Sequence, residues 1–159
     1  MTNQDAINLV RNATLWPADE VVRYARVWLK GAGSEFLNLP ASQTQTFWQC
    51  VAGAGTVEQF DDALRKFSGG VEKRGKRNTP WARATGKPLT QSLAEALANV
   101  AQEVTRDDSD PHNQAYEKAR EMLGNDCPSR DLAVRKAFLK TLLLMHRCQD
   151  HYPFHQEEL

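Results

Sequence analysis

An all-α bundle of six or seven helices, with a basic, glycine-rich loop in its middle, is the fold this sequence predicts. Three observations predict it. Apolar residues recur three and four apart in nearly every segment, the period of a helix with one buried face. Helix start and stop residues punctuate the chain at fitting intervals, with Pro17, Pro111 and Ser129 at starts and Gly31, Gly53 and Gly124 at ends. Alternating valine or isoleucine runs and Asn-Gly hairpin turns, the marks of paired strands, are absent. The 159 residues fit one domain, 1–159. Domains near this size bury roughly 70% of the surface their unfolded chains expose.

Each element has its own warrant. Residues 3–12 form a short, weakly amphipathic helix carrying Ile7, Leu9 and Val10. Pro17 opens the second helix, where its missing N–H costs nothing, and Asp19 and Glu20 face the positive end of the helix dipole. Val21, Ala25, Trp28, Leu29 and Ala32 give it a buried face, while Arg23, Arg26 and Lys30 share another. Gly31 and Gly33 stop it. Phe36, Leu37 and Leu39 lead to Pro40 and a third helix over 41–52, with Phe47, Trp48 and Val51. Gly53 and Gly55 end that helix. Thr56 with Gln59 is a capping-box pattern for a fourth, 57–67, whose Val57, Phe60, Leu64 and Phe67 lie on one face.

Residues 69–80 read as the loop. Leu89, Leu93, Leu97, Val100 and Val104 then mark a fifth helix over 89–105. After an acidic turn, Asp110 caps a sixth that begins at Pro111 and closes at Gly124. Ser129 caps the seventh, which runs to about His151. Leu132, Val134, Ala137, Phe138, Leu139, Leu142, Leu143, Leu144 and Met145 cover more than one side of it, so it is central to the bundle or sits in an interface.

Charge is the most uneven property of the chain. It carries 20 basic and 20 acidic residues, yet residues 65–87 hold eight Lys or Arg against Glu72 alone. Gly69, Gly70 and Gly75 loosen this segment, and Pro80-Trp81 follow. Concentrated cations beside an aromatic suit a polyanion gripped without base reading. Lys73, Arg74, Lys76 and Arg77 are the physically suited cations of the loop, and Arg23, Arg26 and Lys30 form a second stripe. The competing reading is a solvated loop that keeps the protein in solution. Trp81 either stacks on a base or plugs the loop onto the bundle.

Other functions find little purchase. No apolar run approaches the ~20 residues of a membrane span, and the first residues lack the basic and apolar regions of a signal peptide. Cys50, Cys127 and Cys148 are odd in number and far apart, which favours a reducing cytoplasm and free, mostly buried thiols. His146, Cys148, His151 and His155 are zinc-ligand types at poor spacing, since positions two apart on a helix diverge. Asp61-Asp62 and Asp107-Asp108 are adjacent pairs that read as capping and surface residues. Phosphate-loop, dinucleotide and zinc-protease motifs are absent. The expectation is a protein with no catalytic centre, no metal and no cofactor.

With the helices laid out, three stretches are similar to the small helical subunit of CRISPR–Cas effector complexes, the Csm-type subunit of type III systems or its equivalent in another type. Leu37-Asn-Leu-Pro-Ala-Ser42-Gln-Thr-Gln-Thr-Phe47 resembles that family's Leu-Thr-Thr-Ser-Gln/Lys-x-Arg-x-hydrophobic segment. Trp81-Ala-Arg83-Ala-Thr-Gly-Lys87 resembles its aromatic-x-x-Ala-Gly-Arg segment. The final helix, from Arg130 to Tyr152, resembles its last helix with a closing aromatic pair. Gln45 departs from the family, which has a basic residue there, and the glycine-rich loop and the acidic stretch 107–126 are additions. The resemblance implies a catalytically inert subunit that stacks in several copies, touches guide RNA and target nucleic acid through Lys and Arg, and contacts other effector subunits. Arg83 and Lys87 match its nucleic-acid contacts. The alternative is a helical protein–protein adaptor that dimerises through its apolar last helix.

Overall fold

The architecture follows from where the chain can bury its aromatic and aliphatic side chains. In a computed structural model, residues 2–11, 19–73, 89–106, 109–124 and 129–150 are described. They form seven α-helices and no strand. These are α1 (Asn3–Arg11), α2 (Asp19–Lys30), α3 (Ala41–Ala52), α4 (Val57–Lys73), α5 (Leu89–Thr105), α6 (Pro111–Leu123) and α7 (Arg130–Cys148). A short 3-10 helix, Ser34–Asn38, joins α2 to α3. No helix among the described residues is long and apolar enough to cross a membrane.

The centre is α7, which packs against α2, α3, α4, α5 and α6. Its nearly all-round apolar pattern is used inside the molecule: Leu132, Val134, Phe138, Leu139, Leu142 and Met145 are buried in one main core. Each such side chain contributes about 1.5–3 kcal/mol by leaving water. A smaller cluster lies to one side. There Tyr116 of α6 meets Ala133 of α7, with Leu9 and Val10 of α1 and Leu123 packed on them.

The helix ends are set by the capping residues read from the sequence. Ser129 Oγ accepts from the Leu132 amide at 3.2 Å, and Asp110 Oδ1 from the Asn113 amide at 3.4 Å. Thr56 Oγ1 accepts from the Gln59 amide at 3.1 Å, and Gln59 Oε1 reaches past Thr56 to the Gly55 amide at 2.8 Å. Gly124 closes α6 at φ +84°, a conformation that glycine adopts without strain. Thr2 and Asp5 make a further reciprocal cap at the start of α1, where each backbone N–H donates to the other's side chain.

Four expectations need correction. α4 does not stop near 67: it runs through Ser68, Gly69 and Gly70 to Lys73, so residues 69–73 are helix rather than loop. Two glycines cost about 2 kcal/mol of helix propensity, but extending an existing helix is far cheaper than nucleating a new one. Ala32 lies beyond α2 in an exposed turn. α7 ends at Cys148, with Gln149 as its cap. Cys50 and Cys148 are exposed, not buried. Phe47 and Val51 take the inward register of α3 and leave Cys50 outside. Arg74, Lys76, Arg77, Trp81, Arg83, Lys87 and Cys127 lie outside the described residues, as do Trp16, Pro17, Asp107, Asp108, His151 and His155.

Candidate nucleic-acid interface

Trp28, in the last turn of α2, organises the end of the bundle where α2 meets the start of α5. Its ring lies edge-on to Phe36 (centroids 5.8 Å apart) and to Phe138 of α7 (6.5 Å). Its indole N–H donates to Ser92 Oγ at 3.1 Å, a buried bond between α2 and the first turn of α5. Gly33 lies directly under the ring, where a Cβ would come within 2.2 Å of ring carbon. That close approach, more than the need to stop a helix, is why glycine stands at 33. The bond to Ser92 sets the first turn of α5, which begins at Leu89, beside the C-terminal end of α2. Lys30 stands at that same end.

The α2 stripe divides on inspection. Arg23 is exposed, with its guanidinium 5.4 Å from the Tyr24 ring centroid. Lys30, seven residues on, falls on the same side of the helix and is half-buried. Arg26 is also half-buried, with its Nε buried, and has interactions within the fold. Between Arg23 and Lys30 stands Val27, 56% exposed. Of Lys73 the helical backbone alone is described, at the end of α4.

A second cationic surface was not singled out in the sequence. Lys136 Nζ donates to the carbonyls of Ala52 (3.0 Å) and Ala54 (2.6 Å), capping the negative end of α3. Burial holds this ammonium below the usual lysine range. One turn on, Lys140 Nζ lies 5.0 Å over the ring of half-buried Trp48. These two pairings make α3 and α7 antiparallel. The signal was available: Leu132–Cys148 carries Arg135, Lys136, Lys140 and Arg147 with no acid, and α3 carries no charge at all.

Other charged groups serve structure. Arg135, 9% exposed, pairs with Asp131 on its own helix and with Asp61 of α4 at 3.5 Å. Asp62 pairs with Arg65. The adjacent aspartates therefore work separately, as ion-pair partners. Buried His146 donates from Nε2 to the Leu39 carbonyl at 2.6 Å, and Gln149 donates to the Leu37 carbonyl at 2.9 Å. Both bonds tie the end of α7 to the 3-10 segment. No group of three or more His, Cys, Asp or Glu is placed to hold a metal ion among the described residues. An open groove of about 700 Å³ runs along α6 beside Arg130, and Arg130 is paired there with Glu117 at 3.0 Å.

No family model, no curated protein and no solved structure matches this chain.

Proposed function

We propose that the protein is a non-catalytic helical subunit that grips the backbone of a nucleic acid, of the kind it resembles in sequence, the small subunit of a CRISPR–Cas effector complex. The observation that carries this reading is the Trp28–Ser92 bond. It sets the start of α5, which follows the basic segment 65–87 by two positions in sequence, beside the last turn of α2, where Lys30 stands, and this supports a joint role for the two charge clusters. The all-helical architecture agrees with the resemblance. Arg23 and Lys30, with Lys73, Arg74, Lys76, Arg77, Arg83 and Lys87, are the assigned phosphate contacts, and Arg26 supports the helix that presents them. The adaptor alternative has less to work with. α7 directs its apolar side chains into the core and leaves Leu144 as its one large apolar residue classed as exposed.

The test is filter binding of single-stranded RNA across a salt series. Each phosphate neutralised contributes a slope of about −0.7 in log K against log salt for single strands. Binding that weakens steeply with salt, and is lost when Lys73, Arg74, Lys76 and Arg77 are all changed to Ala, is the expected result. Absence of RNA binding at low salt, or binding indifferent to those changes and to Arg23→Ala, would overturn the reading. Co-purification with subunits encoded by neighbouring reading frames tests the effector assignment separately.

A further inference from the structure

We infer that the seam between α3 and α7 is a separate contact surface for single-stranded nucleic acid, with Trp48 as its stacking platform and Lys140 and Arg147 as its phosphate contacts. The inference rests on the nucleic-acid reading above and names a site and a strand state that reading leaves open.

Position comes first. Phe138 faces Trp28 and the α2 side, whereas Lys140 lies over Trp48. Two residues turn a helix by about 200°, so the seam looks away from α2. It is a distinct face.

Charge comes next. Lys140 and Arg147 are seven residues apart, hence nearly aligned and about 10 Å apart along α7. Arg147 is exposed. Lys136 lies on the same side but is committed to the carbonyls of Ala52 and Ala54. The outward residues of α3 are Ser42, Gln45, Thr46 and Gln49, all exposed and neutral, and each able to hydrogen bond. α3 contains no charge, the one acid of α7, Asp131, is paired with Arg135, and exposed Asp150 follows Arg147 by three residues. In a chain of zero net charge, two aligned cations beside an uncharged helix make a local excess of positive charge, which attracts anions.

The aromatic decides what kind of anion. A cation 5.0 Å over an indole is held by the ring's negative face. A base presents a π surface to the same face and stacks with little regard to sequence. When a base takes that place, Lys140 moves from ring to phosphate, and the charge remains paired. A duplex has its bases already stacked and offers none to Trp48. The seam therefore favours an unpaired strand. Exposed Leu144 lies between Lys140 and Arg147 and adds apolar area beside the platform.

The experiment uses the full chain with three variants, Trp48→Leu, Trp48→Phe and Lys140→Gln/Arg147→Gln. Each is measured by fluorescence anisotropy against a 20-nucleotide oligouridylate and a 20-base-pair RNA duplex, with circular dichroism to check folding. Trp48→Leu and the double variant are expected to weaken oligouridylate binding about tenfold and to change duplex binding less than twofold. Trp48→Phe keeps a stacking ring and is expected to retain most of the affinity. The double variant leaves Trp48 and the apolar core in place, so it decides the matter if Trp48→Leu folds poorly. Wild-type binding that neither seam change weakens would overturn the seam while leaving the broader function intact, and would leave that face to a protein partner. Failure of the wild type to bind either RNA would overturn both.

Discussion

Trp28 and Tyr116 are both buried aromatics, and they hold the protein together in different ways. Trp28 joins α2, the 3-10 segment, α5 and α7: it makes two aromatic edges, donates one hydrogen bond and lies against a glycine. Tyr116 belongs to a side layer in which α1 packs chiefly on α6, with Ala133 as the buried point of attachment to α7. The main core is a cooperative unit, because each helix is fixed by several others. The side layer has fewer ties: the Tyr116 cluster, the Arg130–Glu117 pair and a buried bond in which Asn113 Nδ2 donates to the Val104 carbonyl at 2.9 Å. An isolated helix as short as α1 is marginal in water, so its order is borrowed from α6.

The largest effect is expected from breaking the main core at its tightest point. Gly33→Ala puts a Cβ within 2.2–2.3 Å of three Trp28 ring carbons. The ring must vacate, and the bond to Ser92 and both edge contacts go with it. Overpacking of this kind costs about 3 kcal/mol. Urea denaturation should show a lower midpoint for the whole fold with an unchanged slope. A midpoint equal to that of the wild type would mean that Trp28 is not the keystone.

A smaller global effect is expected from the side layer. Tyr116→Ala empties the small cluster, and the truncation of a buried aromatic costs about 3 kcal/mol or more where the surroundings stay in place. Here they need not. Once α1 and α6 detach, nothing further is lost, so global stability should fall by on the order of 2 kcal/mol. Hydrogen exchange checks this directly. Protection should collapse in α1 and α6 and persist in α2, α5 and α7. Uniform loss across all helices would erase the distinction between the two regions.

The two regions also differ in how far the sequence revealed them. The main-core helices are legible because Val21, Ala25, Leu93, Leu97 and Leu142 repeat at the helical period and Ser129 and Thr56 mark the starts. The extension of α4 to Lys73 is not legible, because propensity penalises Gly69 and Gly70 whereas cooperativity carries the helix past them. The close approach of Gly33 to Trp28 is a tertiary fact, and from sequence the glycine reads equally well as a stop. Half of the candidate site was legible. Arg23 and Lys30 stand out as charges at helical spacing, but the inward draw of Arg26 does not. Lys136 and Lys140 each look like ordinary solvated lysines until α3 is laid against α7. The absence of acid from Leu132–Cys148 was the cue to look there.

The most delicate way to separate the regions is acid. Thr2 and Asp5 hold the first turn of α1, with the Thr2 amide donating to the Asp5 carboxylate at 3.0 Å. Hydrogen bonds from the Thr2 backbone and side chain keep this carboxyl below its ordinary value. A carboxyl whose folded pKa is depressed adds stability above its unfolded value, about 3.9, and gives it up as pH falls through the lower folded value. Backbone chemical shifts of α1 should therefore drift toward coil as pH is lowered below about 4, before those of α7 change. Asp5→Asn removes the titrating group: α1 should be slightly frayed at neutral pH and show no step in that window. A step that survives Asp5→Asn would have to come from another carboxyl, and the cap at Thr2 would then not be what orders α1. A simultaneous change in α7 would show instead that α1 and the main core melt as one body, against the independence expected from the few ties that hold the side layer.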